Sequence, residues 1–521
     1  MDVDRPSDLE INENFNTLHV IGRGAFATVY LCRVKDERNF LFATKFINKK
    51  EAEKRGGLTR TDLLKEICLH KLVRNHRHIV NFNDYNENET WLWIKMQAAQ
   101  GGDLFDKIEP DVGISEEIAQ MYFMQLLSAV EYLHGQGVAH RDIKPENILL
   151  SGGGNLLLSD FGFAALFKHK GKTRQSTTIC GSPPYVAPEI LKRRPYAPDK
   201  SDLWSCGILL FVLLTGCTPW EAPLNDDIDF HEFKKLNGRS TSYPWNRLSP
   251  DVRSLLREML RLDPSKRREI HDLRKHPWAY RTNRYMDRRG QCIDPLFLAQ
   301  KLMVNMHIDL NLEKVKVKED TRPIEQRFVS LSQFDHGTDL VLNDANLRFA
   351  SQGGEYVTRD IVESPRKRAP VTSTPGGTEI SLLQFSQTKW SRIPTILAQG
   401  ATTFADICPP DTINRFFAIP KLEPAMRRVL VELRNLRATT PDIDSLPAHS
   451  KEANSLAVLM QVNDRRKMKM SGYVTFRERL DLQGLTEIEF SKIKGDPLEW
   501  RAFFKRAALA CKDILYTEEV E

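Results

Sequence analysis

Short apolar runs broken by glycine open the chain, helical spacing follows, and a long stretch without periodicity separates these from a final patterned segment. Thr17 to Val34 reads as strand, glycine turn, strand: Thr-Leu-His-Val-Ile, then Gly22-Arg23-Gly24-Ala25-Phe26-Ala27, then Thr28-Val29-Tyr30-Leu31-Cys32. Phe42-Ala43-Thr44-Lys45-Phe46-Ile47 and Trp91 to Met96 predict further strands. Leu63 to Val73 carries a helical pattern, with Leu63, Leu64, Ile67, Leu72 and Val73 near one face. Leu203 to Leu214 is the most apolar run; it is too short to span a bilayer and follows Asp202, so it predicts a buried helix. From about Tyr280 to Pro410 long periodic elements stop and Ser, Thr, Pro and Gly rise, as in Thr372-Ser373-Thr374-Pro375-Gly376-Gly377, which predicts a largely disordered linker. Order is expected again from Asp411: a helix over Pro424 to Leu436 and strands over Leu456 to Val462, Tyr473 to Phe476 and Thr486 to Ile493. The last helix sets Trp500, Phe503, Phe504, Ala507, Ala508, Cys511, Ile514 and Leu515 three and four apart, a broad apolar face.

At 521 residues the chain exceeds one compact core, so two or three domains are expected. The net charge of +6 is too diluted over this length to point to nucleic acid. Eight cysteines lie scattered without CxxC pairs, which speaks against a zinc site or disulfide framework and for a reducing compartment. Met1 to Asn16 is polar and acidic, unlike a signal peptide, and nothing predicts a membrane partner.

The candidate chemistry sits in His140-Arg141-Asp142-Ile143-Lys144-Pro145-Glu146-Asn147, followed by Asp160-Phe161-Gly162 after two apolar strand-like runs, Ile148 to Leu150 and Leu156 to Leu158. Phosphoryl transfer needs oxygen ligands for metal ions, an oriented hydroxyl and positive charge over the developing anion. One loop supplies an Asp, a Lys and an Asn at fixed offsets, and the Asp of the following turn completes the set. Asp-Phe-Gly alone is weak evidence; the octapeptide with the turn at this spacing is specific. Upstream, Gly22 and Gly24 would let backbone lie against phosphate, with Ala27 where a third glycine is usual. Lys45 faces inward on its strand, and Glu66 on the following helix is its natural ion-pair partner; Glu51 and Glu53 are rivals in a polar stretch. Downstream come Ser182, Ala187-Pro188-Glu189, Asp202, Arg267 and His276-Pro277-Trp278, in the order of a complete two-lobed protein kinase, which the chain resembles from about Phe15 to Trp278.

Within that resemblance, Gly101-Gly102-Asp103-Leu104-Phe105-Asp106-Lys107-Ile108-Glu109-Pro110-Asp111-Val112-Gly113-Ile114 and Thr178-Ile179-Cys180-Gly181-Ser182-Pro183-Pro184-Tyr185-Val186-Ala187-Pro188-Glu189 are similar to the checkpoint kinase 1 family of DNA-damage effector kinases. The resemblance implies an α+β, two-lobed kinase domain over residues 15–280 after an N-terminal tail (1–14). A regulatory linker (281–410) and a small α+β kinase-associated domain (411–521) follow, and the latter folds back on the kinase lobe. Asn414-Arg415-Phe416-Phe417, Asp464-Arg465-Arg466 and Lys494-Gly495-Asp496-Pro497-Leu498-Glu499-Trp500 carry that last likeness. ATP and Mg²⁺ are the implied cofactors. Asp142 would orient the acceptor hydroxyl, Lys144 offset charge on the γ-phosphoryl, and Asn147 and Asp160 hold magnesium. Ile21, Gly22, Gly24, Val29, Ala43, Lys45, Glu66, Gln97, Ala99, Asp103 and Leu149 are the implied nucleotide site, with Gln97-Ala98-Ala99 as hinge. Ser182 with Lys144 implies a Ser/Thr acceptor, and Glu146 with Asp103 would read an Arg three residues before it.

Lys168 to Thr178 is basic and polar, as an activation segment would be, and retains Ser176, Thr177 and Thr178. Ser332, Ser351 and Ser386 precede glutamines, the acceptor pattern of phosphatidylinositol-3-kinase-like damage-sensing kinases, and Ile380 to Gln387 most resembles a regulatory phosphosite. Implied partners are cell-cycle phosphatases and kinases as substrates, those upstream kinases and 14-3-3 proteins, with a monomeric chain. Pro365-Arg366-Lys367-Arg368 reads equally as a nuclear address, with some cytoplasmic protein, or a solvated basic patch. The rival readings are a calcium- or energy-linked kinase, an inert scaffold, and use of Arg427, Arg428, Arg465, Arg466 and Lys467 on anionic lipid.

Overall fold

The structure is a computed structural model that describes residues 14–24, 26–35, 40–303, 403–407, 414–441, 455–464, 467–480 and 484–516. Ser332, Ser351, Ser386 and the basic run 365–368 lie outside the described residues. Among the described residues no helix is long and apolar enough to cross a membrane.

The glycine turn joins β1 (Phe15–Arg23) to β2 (Ala27–Val34), and β3 (Leu41–Asn48), β4 (Phe82–Glu87) and β5 (Trp91–Gln97) complete an antiparallel sheet of order β1-β2-β3-β5-β4. One face of the sheet buries Phe15, Tyr30, Phe42, Phe46 and Trp93. The other buries Ile47, Leu92 and Ile94 against Leu63 and Ile67 of helix α2 (Arg60–Val73). A short helix α1 (Lys49–Gly56), absent from the hydrophobic pattern, starts where the Asn48 side chain accepts from the Lys50 and Glu51 amides and stops at left-handed Gly57. The start of α2 is set by a Thr59–Asp62 capping box rather than by its first apolar residue, so it begins three residues before Leu63. Leu72, expected on its buried face, is exposed.

The second lobe is built on α3 (Glu116–Gly135) and α4 (Pro198–Thr215), the latter buried nearly all round as its composition predicts. Around them lie the strand pairs β6 (Val138–Ala139) with β9 (Ala165–Leu166), and β7 (Ile148–Leu150) with β8 (Leu156–Leu158). A small hairpin joins β10 (Lys168–His169) to β11 (Lys172–Thr173). Helices α5 (Ile228–Lys235), α6 (Pro250–Met259), α7 (Ile270–Leu273) and α8 (Pro277–Tyr280) close it. Arg267, almost fully buried, makes a two-pronged bond to Glu189 at 2.5 and 2.7 Å.

Residues 281–303, expected as linker, are not one. Residues 281–303 are folded onto this lobe and end in α9 (Pro295–Met303), whose Leu298, Ala299 and Leu302 join the core. Gln120 bonds the Trp278, Ala279 and Arg281 carbonyls, Gln125 bonds the Gly290 carbonyl, and Asn155 accepts from the Cys292 amide. A loop tied down by side chains from α3 carries no periodic signal, and nine residues of helix add little.

The C-terminal domain is a sheet of order β12-β15-β14-β13, formed by β12 (Arg415–Ala418), β13 (Ser455–Asn463), β14 (Lys469–Arg479) and β15 (Leu485–Lys494). Its buried face packs on α10 (Leu422–Asn435) and α11 (Pro497–Ala510) around Phe416, Val474, Ile488, Phe490 and Phe504. β14 runs well past Tyr473 and Phe476 because it is paired on both sides. The final helix ends before Ile514 and Leu515. There the backbone leaves the helix to pair with β12: Ile419 N donates to Ile514 O at 2.9 Å and Tyr516 N to Phe417 O at 2.8 Å.

Candidate active site

The catalytic-loop candidates are positioned by α4. The buried Asp202 carboxylate accepts from the backbone amides of His140 (2.9 Å) and Arg141 (2.8 Å) and from His134 Nε2 (2.9 Å). These bonds hold Arg141 at φ 67°, a left-handed conformation costly for a residue with a Cβ. The turn so made carries Asp142 into a cluster. Lys144 Nζ lies 3.1 Å from one Asp142 carboxylate oxygen, Asn147 Nδ2 donates to the same oxygen at 2.9 Å, and Ser182 Oγ donates to the other at 2.9 Å. Lys144 Nζ also donates to Ser182 Oγ at 2.7 Å. Lys144, Asn147 and Ser182 therefore share the one Asp142 carboxylate.

Across the cleft, Ala43 and Lys45 project from the same face of β3, and Val29 of β2 stands opposite Lys45. Lys45 Nζ lies 2.7 Å from Glu66 and 3.3 Å from Asp160, so that face looks into the cleft. Glu51, the rival partner, pairs with Arg55 on its own helix. Burial alone would push the Lys45 amine down, but the Asp160 and Glu66 carboxylates more than offset it and the amine is held above its usual range. Lys45, aided by His140 and Lys144 against burial, holds the Asp160 carboxyl well below the usual range. Both groups are charged throughout the working pH range.

Asn147 spends its amide nitrogen on the Asp142 carbonyl (2.8 Å) and carboxylate, leaving its amide oxygen as an acceptor. Asp160 sits at φ 61° with its carboxylate partly exposed toward the cleft. Two hard oxygen donors suit magnesium, which takes few protein ligands and keeps phosphate and water oxygens. Among the described residues no cluster of three or more His, Cys, Asp or Glu suggests a different metal.

The other predicted positions lie in β1 and the turn after it, at the end of β5 and just beyond it, and in β7. Gly22 lies opposite Val29 in the β1–β2 register, Gly24 N donates to Ala27 O at 2.7 Å, and Ile21 is exposed. Gln97 ends β5, Ala99 follows it, and Leu149 bridges to Asp103. Asp103 Oδ1 accepts from the Asp106 amide at 2.9 Å, so it caps the turn Phe105–Lys107 instead of standing free. Burial, then repulsion from Asp106, pushes its carboxyl up to about 7. Glu146 is likewise raised by burial, and its Oε2 is buried with no hydrogen-bond partner among the described residues.

Sequence reasoning missed two features. One is a column of rings that ties the lobes together. Phe82 on β4 meets His70 on α2 edge-on at 5.5 Å, His70 stacks on Phe161 at 4.6 Å, and Phe161 meets His140 at 5.3 Å. His70 Nε2 donates to Val80 O at 2.7 Å, and burial lowers its pKa to about 4, so the ring is neutral. The other is which residues seat the C-terminal domain, expected to fold back on the kinase lobe: α11 lies beside this site. Leu498 enters the core of the kinase lobe. Thr218 Oγ1 donates to Asp496 at 2.6 Å, and Arg501 donates to the Phe105 and Asp106 carbonyls at 2.9 and 2.5 Å. Lys505 pairs with Glu109. A spacing pattern marks the apolar face of α11 but not which basic residues leave it.

The protein kinase domain family matches residues 15–279. Serine/threonine-protein kinase chk1 of Schizosaccharomyces pombe is 37% identical over 503 residues, 96% of each chain. Serine/threonine-protein kinase CHK1 of Saccharomyces cerevisiae is 34% identical over 522 residues, 95% of each. By contrast, CBL-interacting serine/threonine-protein kinase 5 of Arabidopsis thaliana, 35% identical, matches over 318 residues, 60% of this chain and 68% of its own. With a kinase cleft in the fold and relatives aligned through the C-terminal domain as well, this chain belongs to the protein kinase family and, within it, to the Chk1 serine/threonine protein kinases.

Proposed function

We propose that this kinase transfers the γ-phosphate of ATP to proteins with Arg three residues before the acceptor, as an effector of the DNA-damage and replication checkpoint. The observation that carries the chemistry is the Asp142 carboxylate held jointly by Lys144, Asn147 and Ser182. In this reading Asp142 orients the incoming hydroxyl and takes up its proton. Lys144 lies over the transferred group, while Lys45, fixed by Glu66, holds the remaining phosphates. Asn147 and Asp160 would ligate magnesium, which when bound neutralises charge on the phosphates. The checkpoint assignment follows the relatives named Chk1, which are matched through the C-terminal domain, whereas CBL-interacting serine/threonine-protein kinase 5 is matched over 60% of this chain. A nuclear site of action is proposed with it.

Preference for a basic residue is supported by the unpartnered Glu146 Oε2 and the nearby Asp103, Asp106 and Glu109. Arg501 and Lys505 already meet the acidic turn that carries Asp106 and Glu109. On this basis the docked α11 lowers activity by covering the face a basic substrate would use.

The test is the pH dependence of peptide phosphorylation. Asp103 must be ionised to hold an arginine, and a carboxyl raised to about 7 takes up its proton as pH falls below that value. Hence the ratio of kcat/KM for a peptide with Arg at −3 to that for its Ala counterpart is expected to be well above one at pH 8. It should decline several-fold by pH 6. A ratio near one at every pH would remove the specificity claim.

A further inference from the structure

We infer that Phe404 is a clasp that pins the chain behind the hinge, so that the C-terminal domain is anchored to the kinase lobe at residue 404 as well as through α11. The 3-10 turn Phe404–Ile407 packs against α9, and the Phe404 ring is buried in the core of the kinase lobe. Two glycines make room for it. A Cβ on Gly101, beside the hinge, would come within 2.6 Å of the ring, and one on Gly154, in the β7–β8 turn, within 3.2 Å. The same Gly154 Cβ would lie 3.1 Å from Leu298 of α9 and 3.0 Å from Cys292. The chain that departs at Met303 and the chain that returns at Thr403 thus use one apolar notch.

The consequence is one of reach. If 304–414 were a free tether, its length would set how often α11 finds the lobe, through its effective concentration. With Phe404 seated, only residues 408–414 separate the clasp from β12, a span of at most roughly 30 Å at ~3.5 Å per residue. Changes within 304–402 then leave the position of the C-terminal domain alone unless they unseat Phe404. This inference rests on the docked geometry and not on whether docking lowers turnover.

The experiment uses the full chain with a site-specific protease sequence inserted between Gly353 and Gly354, cut after purification and fluorescently labelled on one half. Dissociation of the halves on dilution gives a Kd. Phe404→Asp is expected to raise that Kd by about 10- to 100-fold, the worth of one buried aromatic side chain. Phe404→Leu, which keeps an apolar plug, is expected to fall between. The same ratio should appear in an Arg501→Ala background, because clasp and helix dock on separate surfaces. A Kd unchanged by Phe404→Asp, or a Phe404→Leu protein as weakened as Phe404→Asp, would overturn the clasp.

Discussion

Asp142→Ala is expected to lower kcat by about 10²–10⁴-fold, the range for loss of a positioned general base, with KM for ATP nearly unchanged. The carboxylate contacts the side chains of Lys144, Asn147 and Ser182. Asn147 keeps its bond to the residue-142 carbonyl, and Asp202 still holds the loop amides, so the backbone should survive the change. Steady-state transfer to a peptide, with nucleotide binding measured separately, checks both halves of the expectation. Turnover within a few-fold of wild type would contradict the role given to Asp142.

Lys45→Met is expected to cost about 10²–10³-fold in kcat/KM, comparable to removing one preorganised charge from a water-poor site. The methionine keeps most of the stem volume but leaves Glu66 and Asp160 facing each other without their shared cation. Here KM for ATP should rise as well, which separates this variant from Asp142→Ala. With its strongest depressor gone, Asp160 loses most of the effect that keeps its carboxyl low. In the metal-free protein the Asp160 carboxyl should therefore titrate higher in Lys45→Met than in the wild type, as read by carboxyl NMR. An unmoved titration would show that Lys45 is not what holds Asp160 ionised.

The catalytic loop was legible because phosphoryl transfer fixes residue types at short offsets within one loop: Asp142, Lys144 and Asn147 need no distant partner to be noticed. The Lys45–Glu66 pair was legible for a related reason, since a strand lysine and a helix glutamate leave few alternatives. Elements set by contacts distant in sequence were not. The segment leading to α9 depends on Gln120 and Gln125 of α3, Phe404 on Gly101 and Gly154, and the end of α11 on pairing with β12, while the first turn of α2 is set by a local capping box that an apolar period does not register. Leu72 shows the limit of periodicity from the other side, an apolar residue on the expected stripe that is exposed. His70 gave no signal because a histidine at a core spacing reads as an ordinary helix residue until Phe82, Phe161 and the Val80 carbonyl are found around it. Arg501 and Lys505 are buried charges on α11, and only the opposite surface explains them.

The proposed restraint of the kinase by its own C-terminal helix on the substrate face is open to a single comparison. Initial rates of radiolabel transfer from ATP to a peptide with Arg at −3 are compared for the full chain and for the full chain with Arg501→Ala and Lys505→Ala. A rise of about tenfold is expected in the double variant, mainly through a lower KM for the peptide, with KM for ATP unchanged. Equal rates, or a rise confined to kcat with the peptide KM unmoved, would contradict it.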